Sequence, residues 1–203
     1  MSEEEKSIIP GNEEGAQSNT EASANFASTH EAKLFYEVVK HRLININQWH
    51  HVAGALSADF KLTDVAGNEV DRHPIKGDHF KIDIPGPGSI TGDGYDWVKI
   101  EEIEEKKEVE EESISILVRP ATNPTNALQD IAHFFSEDAT SCFIVQRNNT
   151  TVTAGVYGRN EKPNTGAEKA VDKARNTAIA TGAVTVFSKL QWKSLVNGLV
   201  KND

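Results

Sequence analysis

Between Ala58 and Tyr157 apolar residues recur at every second position in one short segment after another. A two-residue period puts successive side chains on opposite faces, the mark of half-buried strands. Phe60 and Leu62 alternate into Asp64-Val65, a tight turn follows at Ala66-Gly67-Asn68, and Glu69 to His73 is expected to pair back. Lys76-Gly77 turns the chain again, and Phe80, Ile82 and Ile84 alternate up to Pro85. Trp97, Ile100 and Ile103 open the next strand, and Ile114, Ile116 and Val118 form another that stops at Pro120. Cys142–Arg147 and Val152–Tyr157 make the clearest hairpin, turning at Asn148-Asn149.

Helical periodicity flanks this block. Leu34, Phe35, Val38, Val39, Arg42 and Leu43 share a face, with Thr29 as the expected cap, and Ile46, Trp49 and Val52 continue into a shorter turn ended by Gly54. A short helix is expected about Leu128–Phe135. Beyond Pro163 a long helix is expected, with Ala167, Ala170, Val171, Ala174, Ala178, Val186, Phe187, Leu190 and Leu199 as its apolar stripe. Thr181-Gly182 weakens its middle. Residues 25–29 suit a short opening strand. Residues 1–24 carry few apolar side chains beyond Ile8 and Ile9, so they read as a disordered acidic tail ahead of one α+β domain, 25–203.

The formal charge of −10 is unevenly spread. Residues 1–24 hold −5 and residues 101–112 hold −6, which leaves the body near neutral. No basic stripe is available to displace counterions from phosphates, so no nucleic acid is expected as partner. No apolar run approaches the ~20 residues of a membrane span. The start Met-Ser-Glu-Glu-Glu-Lys is unlike a signal peptide, and the single cysteine, Cys142, cannot form an internal disulfide. The expected location is the cytoplasm.

The order is strand, two helices, about six or seven antiparallel strands and a long terminal helix. It resembles the helix-grip fold of the START-like and polyketide-cyclase-like superfamily. The resemblance covers about residues 25–200 and has one local echo: the first helix runs into Asn45-Ile46-Asn47-Gln48-Trp49. It implies a curved antiparallel sheet packed on the C-terminal helix, with a cavity between them. In such a fold Trp49, Phe80, Ile82, Trp97, Phe143, Phe187 and Leu190 are expected to line the cavity, and an apolar or lipid-like small molecule is the expected ligand. Arg159, at the polar junction Tyr157–Asn164, is either a ligand clamp or a pin for the helix start.

Other motifs favour structural roles. His50 and His51 are adjacent, so on a helix they diverge by about 100° and do not share a metal. The Gly/Pro loop 85–94 is followed by a strand and lacks Gly-Lys-Ser/Thr, so it is no phosphate cradle. Cys142 lies within an alternating strand and reads as a small buried hydrophobe. No cofactor or metal is expected. Two other functions compete with ligand binding. One is an interaction domain whose acidic tail and acidic hairpin recruit a basic partner. The other is a cyclase or lyase using His133, His79 or Asp96 as acid–base.

Overall fold

A computed structural model of the protein describes residues 8–54, 58–84, 88–165 and 184–202, with residues 184–189 described by their backbone alone. The strands are β1 (Ala16–Asn25), β2 (Asp59–Thr63), β3 (His79–Asp83), β4 (Asp96–Lys107), β5 (Glu111–Pro120), β6 (Thr140–Asn148) and β7 (Thr151–Glu161). The helices are α1 (Thr29–Ile44), α2 (Trp49–Ala53) and α3 (Val184–Leu199), with a 3-10 turn at Ile46–Gln48 before α2. All strand pairs are antiparallel, in the order β1-β7-β6-β5-β4-β3-β2. The fold is α+β: a curved seven-stranded sheet with a C-terminal helix, as the helix-grip resemblance implied.

Four expectations are corrected. The opening strand is not residues 25–29 but Ala16–Asn25, inside the segment read as a disordered tail. Its low apolar content misled because it is an edge strand that only half-buries alternate side chains; its backbone pairs along β7 from Ala16↔Glu161 to Asn25↔Thr151. The cap of α1 is Ser28, not Thr29: its side chain accepts from Glu31 N–H while the Glu31 carboxylate accepts from Ser28 N–H, a capping box. Residues Glu69–His73 make one isolated bridge, Thr63↔Glu69, instead of a strand. Leu128–Phe135 is not helical; the isolated bridge Thr122↔Ile131 and the bond from Trp97 N–H to the Ala132 carbonyl tie it to the sheet as an ordered loop. The expected helix middle at Thr181-Gly182 lies outside the described residues.

One core fills the concave side. Phe60, Phe80, Ile82, Val98, Ile100, Ile116, Phe143, Val145 and Val156 point from the sheet onto Phe35, Tyr36, Val39 and Leu43 of α1, onto Trp49, and onto Leu195, Val196 and Leu199 of α3. Ile100 and Ile103 both face inward although an odd spacing separates them. A bulge at Glu101, between the pairs Ile100↔Val118 and Glu102↔Leu117, restores the phase. Gly198 lets α3 lie against α2, because a Cβ there would sit 1.9 Å from the Val52 carbonyl oxygen. Arg42 then clasps the end of α3, donating to the carbonyls of Leu199 at 2.8 Å and Lys201 at 2.7 Å. The convex face has a smaller cluster, Leu117, Cys142 and Ile144 with Tyr157, on which Ile8 and Ile9 pack.

Candidate functional site

The candidate interior site centres on Trp49, placed by the 3-10 turn so that its indole enters the core. Trp49 Nε1 donates to the Leu43 carbonyl at 2.9 Å, which satisfies the one polar group the ring carries inward. Its ring centroid lies 4.7 Å from Phe143, 5.2 Å from Phe60 and 5.8 Å from Phe80. Trp192 of α3 closes the group at 5.3 Å from Phe143 and 6.1 Å from Phe60. The structure thus brings together Trp49, Phe80 and Phe143 from the expected set, with Ile82 on the same face two residues along β3 from Phe80. Phe60 and Trp192 belong with them. Phe60 was visible as an inward strand position.

Three expected site residues lie elsewhere. Trp97 is on the convex face. No bulge separates it from Ile100, so the odd spacing puts the two on opposite faces; Trp97 pairs across from Lys81 and donates from Nε1 to the Gly92 carbonyl at 3.1 Å. Arg159, expected as a ligand clamp or a pin for the helix start, faces outward and links two strands instead. It donates to the Ser18 carbonyl at 3.1 Å and to Asn19 Oδ1 at 2.7 Å, fixing β1 to β7. Leu190 is 62 % exposed, on the solvent side of α3. The side chain of Phe187 lies outside the described residues. Of the acid–base candidates, His79 faces outward, where burial and the neighbouring Lys99 hold its pKa below the ordinary histidine value. His133 accepts from Phe135 N–H at 2.9 Å and stacks on Phe134.

The far end of the concave face is polar. Arg147 and Glu112 form a fully buried ion pair at 2.8 Å, and Arg147 also donates to the carbonyls of Val109, Glu110 and Asn149. Tyr36 of α1 is fully buried, and its Oη makes no hydrogen bond among the described residues. Burial, reinforced by Glu105 and Glu112, holds its phenol neutral. The sequence signal for this pair was present: Arg147 continues the inward phase of Phe143 and Val145, and Glu112 that of Ile114 and Ile116. A charged residue in an inward phase implies a buried partner. Among the described residues no three His, Cys, Asp or Glu side chains group as a metal site, and no helix is long and apolar enough to cross a membrane.

No protein-family model and no curated protein matches this chain. Solved structures do. A hypothetical protein, jhp0584, from Helicobacter pylori is similar over 92% of this chain and 87% of its own, at 12% identity and a TM-score of 0.52. That likeness is one of fold. Truncated norcoclaurine synthase from Thalictrum flavum matches over 96% of this chain and 100% of its own, at 6% identity and a TM-score of 0.40. The major latex-like protein 151 from Panax ginseng matches over 82% and 94%, at 13% identity and a TM-score of 0.35.

Proposed function

We propose that this protein is a binding module for an apolar or lipid-like small molecule held between the sheet and α3. The observation that carries the reading is the concave face itself. Away from the Arg147–Glu112 end it is largely apolar, with three phenylalanine rings gathered about Trp49, and α1 and the end of α3 supply its cover; the buried Asp96, an acid–base candidate, sits opposite Ile82 at its other end. The segments joining β3 to β4 and β5 to β6 leave the sheet at the end where Ile82 and Asp96 pair. That end is the proposed mouth. A guest there would rest on Ile82, Phe80 and Phe143, with Trp49 and Trp192 behind.

The test is titration with an apolar fluorescent probe, for which a dissociation constant of about 1 μM is expected, equivalent to roughly −8 kcal/mol. Ile82→Trp puts a bulkier side chain behind the proposed mouth and should abolish binding while the protein stays folded. An Asp pair at Leu34 and Val38, the exposed apolar patch on α1, should leave binding intact. Failure of the folded protein to bind, or binding lost only with the α1 patch, overturns the proposal.

A second reading has its own observation. Residues 101–112 form the end of the β4–β5 hairpin, and Val109 at its tip is 92 % exposed within the glutamate run. An exposed apolar tip ringed by carboxylates suits a basic protein partner. Pull-down by that hairpin with an untouched interior would favour it. For either role we place the protein in the cytoplasm. Cys142 is buried with its thiol pushed up to about 12 by burial, so it packs as an apolar side chain suited to a reducing compartment.

A further inference from the structure

The convex face is occupied by a piece of the chain that belongs to neither the sheet nor the helices. Ile8 and Ile9 pack there on Leu117, Cys142, Ile144 and Tyr157, an apolar cluster drawn from β5, β6 and β7. Residues 12–14 then meet the end of β7. Asn160 adopts a φ of 53°, a left-handed conformation that asparagine tolerates. Its N–H donates to Asn12 Oδ1 at 2.8 Å, and its Oδ1 accepts from the N–H groups of Glu13 at 2.8 Å and Glu14 at 3.2 Å. Lys162 binds the Glu14 carboxylate at 2.6 Å and lies 3.8 Å from Asp138. The face therefore reads three features of the segment at a fixed spacing: an apolar pair, two backbone amides and a carboxylate.

The segment is lightly seated. Pro10 and Gly11 border a cleft of about 620 Å³ with Arg119 and Asp138 instead of filling it. A Cβ on Gly11 would meet nothing within 4 Å, and residues 11–14 are exposed. Gly15, at a φ of 90°, turns the chain into β1, a backbone state that glycine adopts without a steric cost. From Ala16 onward β1 has its own pairing along β7. Residues 8–14 can therefore leave the face without opening the sheet, a local release of the kind expected where few apolar contacts hold an exposed backbone.

We propose that residues 8–14 are a cis-acting plug on a peptide-docking face, and that they compete there with a segment of a partner protein. The partner segment carries two adjacent branched apolar residues and, five residues after the second, a carboxylate, as Ile8, Ile9 and Glu14 do in the plug. The apolar pair takes the Leu117–Ile144 seat and the carboxylate takes Lys162, a charge-assisted contact. A second copy of this chain is the poorer occupant, because each copy has a formal charge of −10 and like copies repel. The tether keeps the plug at an effective concentration of ~1 mM, so the face stays closed until a partner segment outcompetes it.

The test uses a labelled peptide of residues 8–15, Ile-Ile-Pro-Gly-Asn-Glu-Glu-Gly, as the partner segment. In the full chain, Ile8→Ser with Ile9→Ser unseats the plug. That variant should bind the peptide with a dissociation constant of ~100 μM, with amide shifts centred on Leu117, Cys142, Ile144, Asn160 and Lys162. The natural chain should bind it about tenfold more weakly, since a competitor at ~1 mM raises a ~100 μM constant by that factor. A peptide with serine at both isoleucine positions should not bind, and glutamine in place of its last glutamate should weaken binding. If the double variant does not fold, the natural chain is titrated to ~5 mM peptide, several times the plug's effective concentration, and the Ile8 and Ile9 methyl resonances should move as the plug is displaced. The proposal is overturned if the folded variant does not bind at ~1 mM peptide, if the serine peptide binds equally, or if both chains bind alike. Unmoved isoleucine resonances in the natural chain overturn it too. So does sedimentation showing a dimer of the natural chain that is lost in the double variant, since the face would then serve a second copy. The apolar-probe result has no bearing on these outcomes, because the interior and this face lie on opposite sides of the sheet.

Discussion

Replacing Trp49 by alanine tests the packing of the whole concave side. Trp49 is fully buried and lies within 6 Å, centroid to centroid, of three phenylalanine rings. Removing a buried aromatic side chain costs ~3–5 kcal/mol. The Leu43 carbonyl also loses the indole donor that meets it at 2.9 Å, adding ~1 kcal/mol if no other donor reaches it. The sum approaches the lower half of a domain's total stability of ~5–15 kcal/mol. With a urea slope of ~2 kcal/mol per molar, the unfolding midpoint should fall by ~2–3 M. Far-UV circular dichroism is the assay of choice, because Trp97 and Trp192 keep the variant fluorescent. Trp49→Phe should recover more than half of the loss, since it restores a ring but not the donor. A loss below ~1 kcal/mol, the scale of surface substitutions, would refute the reasoning, since the ring could not then be the centre of a close-packed core.

Removing residues 1–24 takes away nearly all of β1, so the melting midpoint should fall by more than ~10 °C, at 2–4 °C per kcal/mol for a chain of this size; calorimetry showing a midpoint unchanged within ~2 °C would mean that β1 adds nothing. Glu112→Ala leaves Arg147 buried and uncompensated, for an expected loss of ~3–5 kcal/mol in urea titration; the double change Glu112→Leu with Arg147→Met should recover most of it. His79 is held neutral by burial, with its pKa below the ordinary value of about 6.5. The unfolded chain then binds the extra proton, so this contribution is intact above that pH and declines as the pH falls below it. His79→Asn should flatten the stability profile between about pH 6.5 and 5, and an unchanged slope would show that His79 does not cause it.

The middle of the chain was the legible part. Phe80-x-Ile82, Ile114-x-Ile116-x-Val118 and the hairpin about Asn149 each carry a two-residue period, and each is a strand of the sheet. Period cannot report a bulge, which is why Trp97, Ile100 and Ile103 looked like one face. Glu101 brings Ile103 into phase with Ile100, and nothing does so for Trp97. β1 escaped notice for a different reason. Thr20, Ala22 and Ala24 supply little apolar area, and the strand is held by backbone pairing and by side chains such as Arg159, which sequence hydrophobicity does not weigh. Leu128–Phe135 looked helical because apolar residues cluster there; backbone bonds that join Trp97 to Ala132 and Ala121 hold the loop instead, and no local pattern encodes them. Of the expected site, the members that came together are those whose strand phase was right.

The pairing of β1 with β7 dictates a timetable for synthesis. The strand β1 leaves the ribosome long before β7, its neighbour in the sheet: Ser18 bonds to Glu161, 143 residues later. At ~5–20 residues per second the N-terminal strand waits roughly 7–30 s for its partner. Through that interval its backbone groups have only water, and the apolar face of α1 has no sheet to cover. Closing so long a loop is slow, so docking of β1 should be the last step of folding and the first to fray. The polar, weakly apolar composition that hid β1 as a strand is then an asset to the nascent chain. A more hydrophobic strand left open for that time would find other edges to pair with.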